Sequence, residues 1–144
     1  MYLVDTDVLS QGAPPAGVAS PALVAWMDRN SERLFLSAIT IAEIADGIAK
    51  TRRGGARRKA AALEGWLEAL LHLYHARVLP FDVPAARKAG QLSDRARSKG
   101  HAPGFADVAI AATASAHSLI VLTRNMRHFL PLEIPVHNPF ETLP

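Results

Sequence analysis

Short apolar runs that alternate with longer stretches of helical periodicity constrain this chain more than any other feature. Residues 2–4, 33–37, 77–82 and 118–122 read as strands, and residues 134–136 as a last edge strand. The first and fourth runs are apolar almost throughout, as in strands buried on both faces. Between the first two, Ser20 and Pro21 open a helix, serine as cap and proline at the first helical position. Leu23, Trp26 and Met27 then fall on one packed face. A helix at 38–52 follows the second strand, with Ile41, Ile44, Ala45 and Ile48 as its apolar stripe and Glu43 on the far side. The next runs to about His75, with Leu63, Trp66, Leu67, Leu70 and Leu71 as its core face. A polar helix at 83–98 and an almost wholly apolar one at 105–117 complete the set, before a short helix through Phe129. Residues 12–17 and 99–104 are loops by composition. Strands alternating with helices predict an α/β fold with a mostly parallel sheet.

The 144 residues suffice for one domain, 1–144, with a proper core. About half are apolar, so the chain is globular. It has no cysteine, which excludes a disulfide framework, a thiolate zinc site and a cysteine nucleophile. Nothing in the first residues reads as a secretory leader, and no apolar run approaches the length of a membrane span. A cytoplasmic protein without a membrane partner is the expectation. The formal net charge is +3, and the basic residues cluster, which favours an anionic partner.

Three acids stand where a plain structural residue would not be acidic. Asp5 ends the first strand, and Asp7 follows two residues later. Ligands of open α/β sheets collect beyond the carboxyl ends of the strands, so an acid there points into a cleft. The competing reading is that Asp5 or Asp7 caps the helix that follows. Asp107 lies in the first turn of an otherwise apolar helix, where the helix dipole alone would also favour it. Glu43 sits opposite an apolar stripe, where many glutamates are simply solvated. Taken jointly, such oxygens suit Mg²⁺ or Mn²⁺, ions that keep several waters and also bind substrate phosphate. The chemistry this supports is phosphoryl or phosphodiester hydrolysis.

Several segments carry a family resemblance: Val4-Asp5-Thr6-Asp7-Val8-Leu9-Ser10, Leu36-Ser37-Ala38-Ile39-Thr40-Ile41-Ala42-Glu43 and Leu79-Pro80-Phe81-Asp82. Ala106-Asp107-Val108-Ala109-Ile110-Ala111-Ala112-Thr113-Ala114 and Leu122-Thr123-Arg124-Asn125 complete the ordered set. In order and spacing the chain resembles the PIN-domain ribonucleases of the VapC/FitB type, toxins of bacterial toxin–antitoxin pairs. The resemblance implies an α/β/α sandwich with a mostly parallel sheet of four or five strands. It implies a metal-dependent endoribonuclease whose catalytic and metal-binding acids are Asp5, Glu43 and Asp107, with Mg²⁺ or Mn²⁺ as cofactor. An RNA substrate, a cognate antitoxin protein and a homodimer are the expected partners. The family often has a fourth acid where this chain has Asn125, and usually asparagine where it has Asp7. That exchange keeps the number of acids similar and leaves open which of the two supports the metal. Thr6 and Thr123 are placed to orient the carboxylates, or else only to cap helices.

Arg52, Arg53, Arg57 and Arg58, with Lys50 and Lys59, form a basic junction that would grip an RNA backbone or simply be solvated. His101, His117 and His128 lack metal-ligand spacing and read as surface or packing residues. Trp26 and Trp66 fall on core stripes. Asp5-Thr6-Asp7 also echoes the haloacid-dehalogenase phosphatases, but Leu9 departs from their nucleophile loop and the late adjacent pair of acids is missing. Asn125 keeps one alternative of another class: a catalytically silent PIN-like module that binds RNA or protein.

Overall fold

In a computed structural model the described residues are 1–15 and 20–144. The chain opens with strand β1 (Tyr2–Val4) and a one-turn helix α1 (Thr6–Leu9). Of the loop expected at 12–17, Ala16 and Gly17 lie outside the described residues. Helix α2 (Pro21–Arg29) begins as the sequence dictates, with Ser20 Oγ accepting from Leu23 N. Strand β2 (Leu34–Ser37) leads straight into α3 (Ala38–Arg53), because Ser37 is both its last residue and the cap, its Oγ accepting from Ile39 N. Gly55 makes the turn to α4 (Arg57–Tyr74) with φ +93°, a conformation that disfavours any side chain.

Strand β3 is only Val78–Leu79, shorter than the run at 77–82, since Pro80 has no N–H to extend the ladder. Helix α5 (Val83–Ser98) is capped by Asp82, which accepts from Ala85 N. Helix α6 (Phe105–Ala116) is followed by Ser118 at φ 55°, so strand β4 starts two residues later than expected and spans Ile120–Leu122. Helix α7 (Met126–Phe129) and strand β5 (Val136–His137) close the fold. The edge strand lies on the carboxyl side of Pro135, whose carbonyl accepts from Val121 N.

All four strand pairings are parallel, in the order β3-β2-β1-β4-β5, with β1 in the centre. Successive β1 residues face opposite layers. Leu3 joins Val121, Leu92, Ile110, Phe129 and Leu132 beneath α5, α6 and α7. Val4 joins Leu34, Leu36, Leu122, Leu23, Ile44, Ile48 and Leu67 beneath α1 to α4. The result is the α/β/α sandwich, its two cores divided by the sheet. Residues 108–114 of α6 are all buried, as an apolar helix between sheet and neighbours should be. The buried stripe of α3 is narrower than its pattern suggests: Thr40, Ile44 and Ile48 are buried, while Ala45 is exposed.

Candidate active site

The parallel ladder that pairs Val4 with Leu122 brings the next residue of each strand, Asp5 and Thr123, side by side at the carboxyl edge of the sheet. Asp5 N donates to the Leu122 carbonyl at 3.0 Å, carrying the ladder one step further. Asp5 is buried, 6% exposed. Its Oδ1 accepts from Thr6 N at 2.8 Å, and its Oδ2 accepts from the Thr123 hydroxyl at 2.8 Å. That hydroxyl accepts in turn from Asn125 N at 3.0 Å, so its donor and acceptor roles are both fixed. Burial pushes the Asp5 carboxyl up to about 6, the Thr123 hydroxyl opposes the shift, and the Asp7 and Glu43 charges add to it.

Asp5 itself caps α1, so the capping and the cleft-facing readings of this residue coexist. Asp7 does not cap. Its Oδ2 accepts from Arg124 N at 3.0 Å, tying α1 to the turn after β4, while its Oδ1 is buried without a hydrogen-bond partner. Burial raises the Asp7 carboxyl, against the opposing Arg124 N–H and guanidinium. Asp7 and Asn125 line the same cleft.

Glu43 projects from the exposed side of α3, and the Thr6 hydroxyl donates to its Oε2. Asp107, half-buried in the first turn of α6, enters the same cleft. The cleft therefore gathers Asp5, Asp7, Glu43 and Asp107 with Thr6, Asn125 and His128, in a volume of about 420 Å³. His128 is exposed, as its sequence context suggests, yet its Nδ1 lies 3.2 Å from Asp107 Oδ2. No spacing rule could find this contact, since the pair lies 21 positions apart, across α6, β4 and the following turn.

Every acid offers hard oxygen, the Asp5 charge is desolvated beside two other carboxylates, and Asp7 Oδ1 lacks a donor. Among the described residues no three acidic or histidine side chains gather closely enough to hold an ion by themselves. That arrangement fits an ion that keeps several waters, as Mg²⁺ does, and not one caged entirely by protein. Asp5, Glu43 and Asp107 are the residues that would hold it.

Arg52, Arg53, Arg57 and Arg58 are exposed around the α3–α4 turn and do not line the acid cleft. Arg52 pairs with Glu64 at 2.9 Å, and Arg52, Arg53 and Arg57 border a shallow hollow with Ala49. Trp26 is buried against Tyr2, whereas Trp66 is only half-buried and borders two grooves.

An α/β/α sandwich with acids at the carboxyl edge of a parallel sheet defines a class that comparison with known proteins makes specific. The PIN domain family model matches residues 2–130, and the chain belongs to that family. It is 38% identical to Toxin FitB of Neisseria gonorrhoeae over 141 residues, covering 97% of this chain and 99% of that one. It is 37% identical to VapC ribonuclease Y4jK of Sinorhizobium fredii over 145 residues, covering 98% and 99%. Among solved structures, FitAcB from Neisseria gonorrhoeae superposes with a TM-score of 0.83 at 38% identity, over 97% of this chain and 99% of that one.

Proposed function

We propose that this chain is a metal-dependent endoribonuclease, hydrolysing phosphodiester bonds in RNA as the toxin of a toxin–antitoxin pair. The observation that carries the reading is the convergence of Asp5, Glu43 and Asp107 on one cleft at the sheet's carboxyl edge. The relatives named as a toxin and as a VapC ribonuclease, each matched along nearly its whole length, support it. A bound Mg²⁺ or Mn²⁺ supplies Lewis-acid polarisation of the scissile phosphate and favours ionisation of an attacking water. The chain's own part is positional. Thr123 fixes the rotamer of Asp5, and Thr6 fixes Glu43. The exposed arginines Arg52, Arg53, Arg57 and Arg58 attract the RNA backbone from the far end of α3.

The antitoxin's seat, on this reading, is the groove between α3 and α4 lined by Ile44, Ile48, Leu63 and Trp66, with Glu43 and Thr6 at its border. An apolar, partly helical segment fits there, and an arginine or lysine reaching the acids would replace the metal's charge. Action on RNA places the protein in the cytoplasm, and the toxin works as a homodimer. Among the described residues no helix is long and apolar enough to cross a membrane.

Expression in bacteria tests this reading. The wild-type chain should arrest growth, Asp107→Asn should be tolerated at equal abundance, and co-expression of the protein encoded by the adjacent gene should restore growth. An Asp107→Asn chain as toxic as the wild type would defeat the nuclease explanation of toxicity.

A further inference from the structure

Beside the acid cleft lies a second open cleft of about 420 Å³ that shares Asp107 and His128 with it. Its titratable lining is one arginine and two histidines against a single acid. Arg127 and His128 enter from α7, and His101 enters from the loop ahead of α6. Asp107 is the one acid on its wall, and it stands at the boundary between the two clefts, against His128 Nδ1. Arg127 is exposed and, among the described residues, forms no ion pair. An anionic chain leaving the acids on this side therefore meets an uncommitted guanidinium, the side chain best matched to a phosphate. The arginine junction after α3 cannot serve the same place. It shares no residue with the acid cleft and lies roughly 14 Å along the helix from Glu43.

We propose that this second cleft seats the nucleotide next to the bond that is cut, with Arg127 on its phosphate and His101 and His128 along its sugar and base edge. The occupant is single-stranded RNA, because a concave cleft beside recessed acids admits a splayed strand and not a closed A-form helix. The inference rests on the nuclease reading above and assigns the side of the acids on which the substrate strand continues.

The test uses the full chain and a labelled single-stranded RNA of about 12 nucleotides and mixed sequence. Binding is measured by fluorescence anisotropy across a salt series with a chelator present, so that no cleavage intervenes. Arg127→Gln should weaken binding about fivefold or more and lower the slope of log affinity against log salt by about 0.7, the share of one phosphate contact. Arg127→Lys should restore the slope. Arg29→Gln, an equal charge change on the exposed surface of α2, should alter neither. Wild-type behaviour in Arg127→Gln, or an equal loss in Arg29→Gln, would overturn the assignment. Repeating the series with Mn²⁺ separates the two claims. Cutting by the wild type with Arg127→Gln unimpaired removes the cleft and leaves the nuclease. Arg127-dependent binding with no cutting removes the nuclease and leaves the RNA seat.

Discussion

Asp5 is asked to do two incompatible things in the metal-free protein: stay buried and stay charged. Its folded-state value of about 6 lies above the ordinary 3.8, so the folded chain holds this proton more tightly than the unfolded one. The group's contribution is therefore most favourable below the unfolded value and is lost as pH rises through the folded value. Between about pH 4 and about pH 6 the loss should approach roughly 3 kcal/mol. Urea midpoints measured with a chelator at about pH 4.5 and about pH 7.5 should show this fall in the wild type. In Asp5→Asn it should shrink, since asparagine still accepts from Thr6 N and carries no charge. Asp7 makes a separate prediction. Its Oδ2 holds Arg124 N while Oδ1 stays free of donors, so Asp7→Asn keeps the tether and removes charge. The Mn²⁺ concentration for half-maximal cleavage should rise about tenfold, the effect of losing about 1.4 kcal/mol of ion binding. Asn125→Asp in the same chain should bring it back. An unchanged Mn²⁺ dependence in Asp7→Asn would remove Asp7 from the metal's surroundings.

The elements were largely legible because their signals are local. Helix α5 has the boundaries its sequence predicts, fixed by Asp82 as cap, and Ser20-Pro21 starts α2 where capping chemistry says it should. Strands β3 and β4 are shorter than their apolar runs, since Pro80 and Ser118 set limits that hydrophobicity does not express, while β1 keeps its expected bounds. The contacts across elements were the illegible part. The role of Asp7 depends on a backbone N–H 117 residues away, and that of His128 on a helix N-terminus brought beside it by α6 and β4. Gly55 illustrates a local signal with an energetic consequence. At φ +93° an alanine would be strained although nothing crowds the position, so Gly55→Ala should cost about 1 kcal/mol in urea unfolding. No loss of stability would mean that the α3–α4 turn relaxes freely.

Across the molecule, the sheet collects at one edge groups that the chain scatters over more than a hundred residues. Central β1 delivers Asp5 and Asp7, its neighbour β4 delivers Thr123, and α3 and α6 bring Glu43 and Asp107 from opposite layers. Nothing in the packing requires these acids to be charged: Asp107 is half-buried beside a histidine, and Glu43 is exposed. Their substitution should therefore spare the fold and abolish the chemistry. The purified chain, incubated with bacterial RNA in Mn²⁺, should cut it, and a chelator should stop the reaction. Asp107→Asn, with an unchanged far-ultraviolet spectrum and an equal or higher urea midpoint, should leave the RNA intact even in excess Mn²⁺. Cleavage by folded Asp107→Asn at the wild-type rate, or wild-type cleavage that persists without divalent metal, would contradict the proposed site.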